Sequence, residues 1–358
     1  MEDGSIYTGK AFGAHKTTFG EVVFNTSMTG YQEILSDPSY SGQIVMPTYP
    51  LMGNYGINDE DMESHHIHAT GFVVREECRQ PSSSVRVINT LDEFLRAHDV
   101  PGISGVDTRA ITRRLRTQGV MMGVLSTEGS PEELLQRLYS HPNYGAVDFV
   151  SQVTTKIPYT WEVAPNGQLP LGRIVVMDYG LKYNILRILN RLGWQTQAVP
   201  ASTPAEEVFG LKPDGIVLSP GPGDPALLGA VVQNARLLGE RLPILGICLG
   251  HQVIAKAFGA NTFKLKFGHR GANHPVRDIT TGQVSITAQN HGYAVDANDL
   301  PHALEISQLN LNDNTIEGLR HRDLPIITIQ YHSEASPGPK DNEDLFERFL
   351  QMVIETKG

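Results

Sequence analysis

The sequence predicts an α/β protein built from two domains and a linker. Its 358 residues, 40% of them apolar, are enough to form two or three hydrophobic cores. From Arg173 onward, apolar runs of four to six residues alternate with amphipathic helical patterns, which is typical of a mostly parallel sheet with helices on both faces. Before about residue 150, strand-like runs are mixed with helical patterns, which indicates an α+β domain of the β/β/α type.

The first domain is predicted to cover residues 1–150. Its strand-like runs are GEVVFNTS, GQIVMPTY and ATGFVVRE, and its helical patterns are LDEFLRAHDV and DTRAITRRLRTQG. Residues 151–172 are rich in Thr, Pro and Gly and show no sustained period. They are therefore predicted to form a linker.

The second domain is predicted to cover residues 173–358. Its predicted strands are RIVVMDYG, WQTQAVPA, PDGIVLSPG and PILGIC, and helical patterns such as YNILRILNRLG, AVVQNARLLGERL and HQVIAKAFG separate or follow them. The later part is rich in strand-like segments and ends in an amphipathic helix, NEDLFERFLQMVIETK. Together these patterns predict a mostly parallel α/β sheet.

Charge and composition exclude several classes of function. The net charge is −10, from 29 basic and 39 acidic residues, which argues against a nucleic-acid surface because such a surface normally shows a basic stripe. No apolar run approaches the length of a membrane span, and MEDGSIYTGK has no signal-peptide or transit pattern. The cytoplasm is the expected location, where both cysteines, Cys78 and Cys248, are expected to stay reduced.

The segment PILGICLGHQ places Cys248 between two glycines, at the end of an apolar run and before a helical pattern. This matches a nucleophile elbow, a tight turn between strand and helix that lifts the nucleophile clear of the sheet. A helix N-terminus also favours the reactive thiolate. The alternative is a buried cysteine that only fills the end of a strand.

A nucleophilic thiol needs a general base and a group that orients the base. His332 and Glu334 follow the apolar strand PIITIQY and stand two residues apart. Glu334 could therefore hold one ring nitrogen of His332 while the other faces Cys248. A solvated histidine beside a surface acid is the alternative, but the elbow favours the triad.

A third motif, LSPGPGDP, ends another apolar strand. Gly221 and Gly223 would let the backbone approach a bound group and direct amides at a developing oxyanion. A nucleotide site is disfavoured because Pro222 and Pro225 lack amides and no acidic residue closes the pattern. A plain turn is the remaining alternative.

Two clusters outside this region carry weaker signals. His65, His66 and His68 suggest a metal, but without nearby Cys or paired acids a solvated loop is favoured, and no metal site is predicted. The arginines of the DTRAITRRLR helix (Arg109, Arg113, Arg114 and Arg116) are expected to be a solvated face, with a subunit contact as the alternative.

The motifs GICLGHQ, QYHSEASPGP, LSPGPGDP and ITAQNHGYAV together resemble the class I, triad-type glutamine amidotransferases. In addition, GEVVFNTSMTGYQEILSDPSYSGQIV, TYPLMGNYG, the DTRAITRRLR helix and KFGHRGANHPV resemble the small, glutaminase subunit of carbamoyl phosphate synthetase. The resemblance spans nearly the whole chain. It implies that the first domain contacts a partner subunit.

The resemblance implies hydrolysis of glutamine to glutamate and ammonia. Cys248 would attack the side-chain carboxamide and form a glutamyl thioester, His332 would move the proton, and Glu334 would orient the imidazole. The amides of Leu249 and Gly221 would hold the oxyanion. The other family positions that contact glutamine correspond to Ser39, Gly223, Gln252, Asn290, Gly292 and Tyr293.

The resemblance also implies a large synthetase subunit that makes carbamoyl phosphate for arginine and pyrimidine synthesis. The chain has no P-loop, so no cofactor is expected on it, and ATP and magnesium are expected on the large subunit. A non-catalytic glutamine-binding or regulatory subunit, and a cysteine hydrolase of another substrate, remain as alternatives.

Two departures from the family pattern stand out. The family usually has proline between the histidine and the glutamate, where this chain has Ser333; this puts the rigidity of the triad segment in question. An apolar strand usually precedes the Glu2-Asp3-Gly4 motif. We expect a version of the chain with that strand to have a more stable first domain.

Overall fold

The computed structural model describes residues 1–82, 87–161 and 169–357. The chain divides into two compact units. The first comprises Met1–Val147 with Lys266–Gly271, and the second comprises Asp148–Leu265 with Ala272–Gly358. The first unit is therefore built from two stretches of the chain, and the shorter one, Lys266–Gly271, interrupts the sequence of the second unit.

The first unit contains eight labelled strands and four labelled helices among its described residues. Its strands are β1 (Lys10–Gly13), β2 (Thr18–Asn25), β3 (Gln43–Pro47), β4 (Leu51–Met52), β5 (Gly71–Val73), β6 (Glu76–Glu77), β7 (Pro101–Ser104) and β8 (Met121–Leu125). Its helices are α1 (Tyr31–Ser36), α2 (Leu91–Ala97), α3 (Thr108–Gln118) and α4 (Pro131–Ser140).

The main sheet of this unit has the order β1-β7-β5-β3-β2-β8. Its four central strands are parallel, and the two edge strands, β1 and β8, run antiparallel to their neighbours. Successive strand residues point to opposite faces. Val23 therefore packs in one apolar cluster while Val22 and Phe24 pack in another, so the sheet is buried on both sides.

Side-chain caps set where the helices of the first unit begin. Thr90 and Glu93 form a reciprocal capping box at α2, and Ser130 and Glu133 form one at α4. Asp107 accepts a hydrogen bond from the Ala110 amide at the start of α3. Each cap satisfies amides that the first helical turn leaves unpaired, which typically contributes about 1 kcal/mol.

The histidine segment of the first unit is less solvated than expected. His65 is exposed, but His68 is only 9% exposed and its ring centroid lies 4.0 Å from that of His66. Burial lowers the pKa of His68 to about 3, because a charged imidazole would lose its hydration. The solvated-loop prediction is therefore wrong for His68.

The prediction that the arginines of α3 form a solvated face is confirmed in part. Arg109, Arg113 and Arg116 are exposed, whereas Arg114 is half-buried and its guanidinium lies 2.6 Å from the carboxylate of Asp3. This ion pair ties the helix to the N-terminal segment. An exposed pair of this kind typically contributes no more than about 1 kcal/mol.

The second unit contains the remaining strands and helices. Its strands are β9 (Tyr159–Trp161), β10 (Arg173–Asp178), β11 (Gln195–Pro200), β12 (Gly215–Leu218), β13 (Ile244–Ile247), β14 (Thr262–Asp278), β15 (Val284–Val295), β16 (Leu304–Asn310), β17 (Ile316–His321) and β18 (Ile326–Ile329). Its helices are α5 (Val150–Val153), α6 (Tyr183–Arg191), α7 (Ala205–Gly210), α8 (Gly229–Gly239), α9 (Leu249–Ala257) and α10 (Asp344–Lys357).

The large sheet has the order β15-β14-β16-β17-β18-β13-β12-β10-β11-β9. Strands β11, β10, β12, β13 and β18 are parallel, while β9, β16 and β17 pair antiparallel with their neighbours. The carboxyl ends of β12, β13 and β18 consequently meet at one edge of the sheet, which is where ligand sites of open α/β sheets usually lie.

Both faces of the parallel region are covered by helices. Val175 and Met177 of β10 pack in a cluster with residues of α8 and α9, whereas Ile174 and Val176 pack in another with residues of α6 and α10. The predicted fold class, a mixed α/β chain with a mostly parallel second sheet, is confirmed. Within the described ranges, no helix combines the length and apolar character needed to cross a bilayer.

The segment assigned to a linker, residues 151–172, holds more structure than its composition indicates. Its described part includes most of α5 and all of β9, which pairs antiparallel with β11 at the sheet edge. The Thr155 amide also donates to the Asp178 carboxylate at 2.8 Å. A three-residue strand is too short to show a period, so only its pairing reveals it. Residues 162–168 lie outside the described residues.

Candidate active site

Cys248 occupies a strained turn between β13 and α9. Its backbone has φ of 52° and ψ of −103°, and it precedes the first residue of the helix. Its amide donates to the carbonyl oxygen of Ile329 at 2.8 Å, which fixes it beside the end of β18. A non-glycine residue at positive φ is uncommon and is often found at functional sites. The geometry matches the predicted nucleophile elbow.

Gly246 and Gly250, which flank Cys248, are glycines because a side chain would not fit at either position, and not because their backbone torsions require glycine. A Cβ on Gly250 would lie 2.2 Å from the carbonyl oxygen of Leu218, and one on Gly246 would lie 2.8 Å from the carbonyl oxygen of Gly250. Neither contact is possible without moving main chain. The positive φ of the elbow is carried by Cys248 itself, so the glycines let the helix and the neighbouring strand approach closely.

The GPGDP loop lies against the residue that follows the nucleophile. A Cβ on Gly221 would come within 2.8 Å of the Leu249 side chain and 2.3 Å of the carbonyl oxygen of Tyr179. Gly223 has φ of 92°, which other residues rarely adopt. The loop therefore brings the main chain at Gly221 next to Leu249, as the predicted oxyanion site requires.

His332 and Glu334 form a tight buried pair after β18. The Nδ1 atom of His332 lies 2.6 Å from Oε1 of Glu334, and the two residues are 4% and 0% exposed. The His332 amide donates to the carbonyl oxygen of Ala288 at 2.8 Å. With Nδ1 held by Glu334, the other ring nitrogen, Nε2, is buried and has no hydrogen-bond partner among the described residues. It is thus the nitrogen that can exchange a proton with a reacting group.

The electrostatics of this pair favour the charged forms. Burial by itself lowers the pKa of His332, but the Glu334 carboxylate and the neighbouring Cys248 side chain outweigh it and raise that pKa above its usual range. Burial raises the pKa of Glu334, but the neighbouring Lys182 ammonium and His332 imidazolium lower it overall. Opposite charges at short distance decide both directions.

Lys182 is a part of this cluster that the sequence analysis missed. Its ammonium lies 3.1 Å from Oε1 of Glu334, it also bonds to the carbonyl oxygen of Ala335, and both partners of the ion pair are at most 2% exposed. Asn184 donates to the main-chain oxygen of Glu334. One signal was available: Lys182 is the N-cap of α6, a position where the helix dipole disfavours a cation.

The predicted glutamine contacts in the second unit lie around the cysteine. The carbonyl oxygen of Asn290 lies 3.6 Å from the Cys248 sulfur. Gln252, one helical turn after the cysteine, donates its side-chain amide to the carbonyl oxygen of Tyr293 at 2.8 Å. Asn290, Gly292 and Tyr293 all lie in the second half of β15, which is mostly buried. The structure thus places these residues within one neighbourhood.

Comparison with known proteins supplies the family. The model of the carbamoyl-phosphate synthase small chain domain matches residues 1–125, and the class I glutamine amidotransferase model matches residues 175–352. Carbamoyl phosphate synthase small chains from Syntrophotalea carbinolica and Akkermansia muciniphila are 49% and 50% identical over 368 and 363 aligned positions. Each alignment covers 100% of this chain and 97% of the relative.

This chain belongs to the carbamoyl phosphate synthase small chain family. Both family models and the full-length relatives agree, so the resemblance noted in the sequence is confirmed. Membership assigns the second unit to the class I glutamine amidotransferases and makes the chain the glutaminase component of a glutamine-hydrolysing carbamoyl phosphate synthase. The rival prediction of a hydrolase for unrelated substrates is not supported.

Ser39 is the predicted glutamine contact that lies in the first unit. It is 5% exposed and sits in a short 3₁₀ turn, Pro38–Tyr40, where its main-chain amide donates a hydrogen bond to the Asp37 carboxylate at 2.9 Å. Its hydroxyl has no partner among the described residues. The contact of Ser39 with glutamine stays a prediction.

Ser333, where the family usually has proline, lies in a segment that is held from both sides. Ser333 is 1% exposed, and its hydroxyl meets no hydrogen-bond partner in the described part of the chain. The Ala335 amide donates to the carbonyl oxygen of His332 at 3.1 Å, and Lys182 bonds to the carbonyl oxygen of Ala335. These main-chain contacts restrain the segment without a proline.

Proposed function

We propose that the chain hydrolyses L-glutamine to glutamate and ammonia with a Cys248, His332 and Glu334 triad, and passes the ammonia to a large synthetase subunit. The observation that supports the triad best is the state of His332. One of its ring nitrogens is held by a buried carboxylate, the other has no hydrogen-bond partner among the described residues, and the Cys248 side chain is close enough to raise the pKa of the ring. This is the arrangement that proton exchange with a thiol requires.

The first half of the proposed reaction forms a glutamyl thioester. The thiolate of Cys248 attacks the side-chain carbonyl carbon of glutamine while His332 is protonated. The resulting oxyanion is held by the main-chain amides of Leu249 and Gly221. His332 then gives its proton to the departing nitrogen, the carbon–nitrogen bond breaks, and ammonia leaves.

The second half releases glutamate. Neutral His332 removes a proton from water, and the hydroxide attacks the thioester carbonyl. When the carbon–sulfur bond breaks, the thiolate of Cys248 is restored beside protonated His332, and glutamate leaves. Glu334 keeps the imidazole in one orientation through both halves, and Lys182 keeps Glu334 ionised.

The other predicted glutamine contacts, Ser39, Gly223, Gln252, Asn290, Gly292 and Tyr293, are proposed to bind the substrate. For Gln252, Asn290 and Tyr293, support comes from their burial, from the contact of Asn290 with Cys248, and from the hydrogen bond between Gln252 and Tyr293. The polar main chain of this region can pair with the charged groups of an amino acid, whose desolvation would otherwise be costly.

A large subunit is proposed as the partner because glutamine hydrolysis alone makes no carbamoyl phosphate. ATP and magnesium are proposed to bind that partner, and no cofactor is proposed for this chain. Ammonia must be kept from water, where protonation would remove its lone pair, so a tight interface between the subunits is expected. Carbamoyl phosphate is proposed to feed arginine and pyrimidine synthesis in the cytoplasm.

The decisive experiment measures glutamate release from glutamine by the wild-type chain and by Cys248→Ala, with and without a large synthetase subunit. Cys78→Ala is the matched control, because Cys78 is the other free thiol and lies in the first unit. We expect weak activity alone, a rise with the partner, and loss only in Cys248→Ala. Absence of turnover in both wild-type conditions would favour a glutamine-binding or regulatory subunit instead.

A further inference from the structure

Two buried glutamines meet next to the cysteine. Gln252 lies on α9, where its main-chain amide donates to the carbonyl oxygen of Cys248 at 3.2 Å. Gln330 directly follows β18 and precedes His332 by two residues. Its main-chain amide donates to the carbonyl oxygen of Glu317 at 2.8 Å. They are 3% and 0% exposed. The pair therefore joins the helix that carries the nucleophile to the segment that carries the histidine.

Hydrogen-bond accounting determines which way the Gln252 side-chain amide points. Its Nε2 atom lies 2.8 Å from the carbonyl oxygen of Tyr293 and 3.0 Å from Oε1 of Gln330. A main-chain carbonyl can only accept, so the atom facing Tyr293 must be the nitrogen. The same nitrogen faces Gln330, which must therefore present its oxygen. Both amide hydrogens of Gln252 are used.

This arrangement leaves the oxygen of Gln252 as the atom available to a ligand. No described residue donates a hydrogen bond to that oxygen. If the Gln252 amide were reversed, its oxygen would face the Tyr293 carbonyl, which can only accept, and one buried hydrogen bond would become a repulsion. The Gln330 amide, whose Nε2 atom has no partner among the described residues, is not fixed in this way. Each buried polar group left without a partner typically costs about 1–3 kcal/mol. The Tyr293 carbonyl therefore sets the orientation of the Gln252 amide, and the Gln330 oxygen is the buried acceptor for its second amide hydrogen.

We propose that Gln330 is a positioning residue that holds the side-chain oxygen of Gln252 toward bound glutamine. This inference rests on the proposed glutamine site. Because an amide oxygen can only accept, the position then recognises an N–H donor of the substrate and disfavours an acceptor there. Gln330 does not touch the substrate itself. It acts by accepting the second amide hydrogen of Gln252, which anchors the side chain in the orientation that the Tyr293 carbonyl sets.

The test is the kinetics of Gln330→Leu, measured on the full chain with a large synthetase subunit. Leu removes the acceptor oxygen and replaces the glutamine side chain with an apolar side chain of similar size. We expect KM for glutamine to rise roughly tenfold while kcat stays within about threefold, because an interaction used in binding is lost and the triad is intact. Gln330→Glu keeps an acceptor oxygen in either protonation state and is expected to restore KM to near the wild-type value.

A double-mutant cycle separates positioning from a general loss of packing. If Gln330 acts through Gln252, then Gln252→Leu/Gln330→Leu has the same KM as Gln252→Leu alone. Gln308→Leu is the matched control, because Gln308 is also a buried glutamine of the second unit, at 8% exposure on β16. Its KM is expected to equal that of the wild type.

Three results would overturn the proposal: equal KM values for Gln330→Leu and Gln330→Glu, independent effects in the double mutant, or a wild-type KM in Gln330→Leu. If Gln330→Leu fails to fold, Gln330→Met, which keeps the length but has no oxygen, takes its place in the same comparisons. Failure of the proposed function is distinguishable, because it would appear as unchanged glutamate release in Cys248→Ala.

Discussion

Two buried histidines of the second unit, His251 and His332, differ in the groups that face their rings. The Nδ1 atom of His251 lies 2.8 Å from the hydroxyl of Thr328, and that of His332 lies 2.6 Å from the carboxylate of Glu334. In both rings Nε2 is buried and has no partner among the described residues. The two surroundings therefore differ in the charge of the acceptor at Nδ1 and in the Cys248 side chain, which acts on His332.

That difference decides the protonation state of each ring. Burial lowers the pKa of His251 to about 3, so it is neutral near pH 7. The same burial acts on His332, but Glu334 and Cys248 reverse the direction and raise its pKa. Burial of a histidine thus says little about its function, whereas a buried carboxylate on one ring nitrogen indicates a proton-transfer role.

The largest expected effect comes from exchanging each histidine for asparagine. His332→Asn is expected to lower kcat for glutamine hydrolysis by about 10³-fold or more, because the proton carrier is lost. His251→Asn keeps a donor toward Thr328 and is expected to stay within about fivefold of the wild type. Steady-state glutamate release measures both. Comparable losses in the two variants would contradict the distinction drawn between the rings.

A smaller effect is expected when only the charge at Nδ1 is removed. Glu334→Gln keeps an acceptor of the same shape, so His332 stays in place, but its imidazolium loses the stabilising anion. We expect kcat to fall by about 10²-fold and the pKa of His332 to move down toward that of His251. The pH profile of kcat/KM and an NMR titration of the imidazole check this; an unchanged His332 pKa would refute it.

Removal of the Lys182 ammonium, which pairs with Glu334, is expected to lower kcat less than the changes to His332 and Glu334. Lys182→Met keeps the buried aliphatic stem but leaves the carboxylate with only His332 as a counter-charge. We expect kcat to fall by about tenfold. The free energy of unfolding should fall by about 3 kcal/mol, since one partner of a buried ion pair is lost. Arg191→Met, which breaks an exposed pair with Glu343, is the control and should change stability by less than about 1 kcal/mol.

The smallest effect concerns stability against pH, and it has opposite signs for the two rings. The unfolded chain protonates His251 below about pH 6.5 while the folded protein keeps it neutral, so its contribution to stability falls as the pH drops below about 6.5. His332 is protonated in the fold, so its contribution is present below about pH 6.5 and is lost as the pH rises through its raised pKa.

Denaturant unfolding at several pH values checks this prediction. His251→Asn is expected to show a shallower loss of stability than the wild type between about pH 6.5 and 5. His332→Asn is expected to lose the stability that the wild type gains on the acid side. Identical pH slopes for His251→Asn and wild type would mean that His251 is already protonated in the fold.

Much of the site could be predicted because its residues lie in local patterns. The elbow around Cys248 follows from a short apolar strand, two glycines and a helix in sequence, and the pairing of His332 with Glu334 needs only a spacing of two residues. The close contacts at Gly246 and Gly250 explain why glycine occupies both positions. By contrast, Lys182 is far from Glu334 in sequence, so no local pattern could associate the two.

The same distinction applies to the fold. Alternating apolar runs and amphipathic helices were enough to predict the parallel sheet, since periodicity reflects which face of each element is buried. The strand β9 has three residues and is too short to show a hydrophobic period. It forms because its main chain pairs with β11 at the edge of the sheet.

By itself, the sequence determined the α/β class, the elbow pattern, the candidate residues Cys248, His332 and Glu334, and the resemblance to the carbamoyl phosphate synthase small chain family. Only the tertiary structure decided the charge state of each buried histidine, the ion pair of Lys182 with Glu334, and the contact of Gln330 with Gln252. The physical reason is that pKa values and buried hydrogen bonds depend on groups that meet only after distant segments of the chain have packed together.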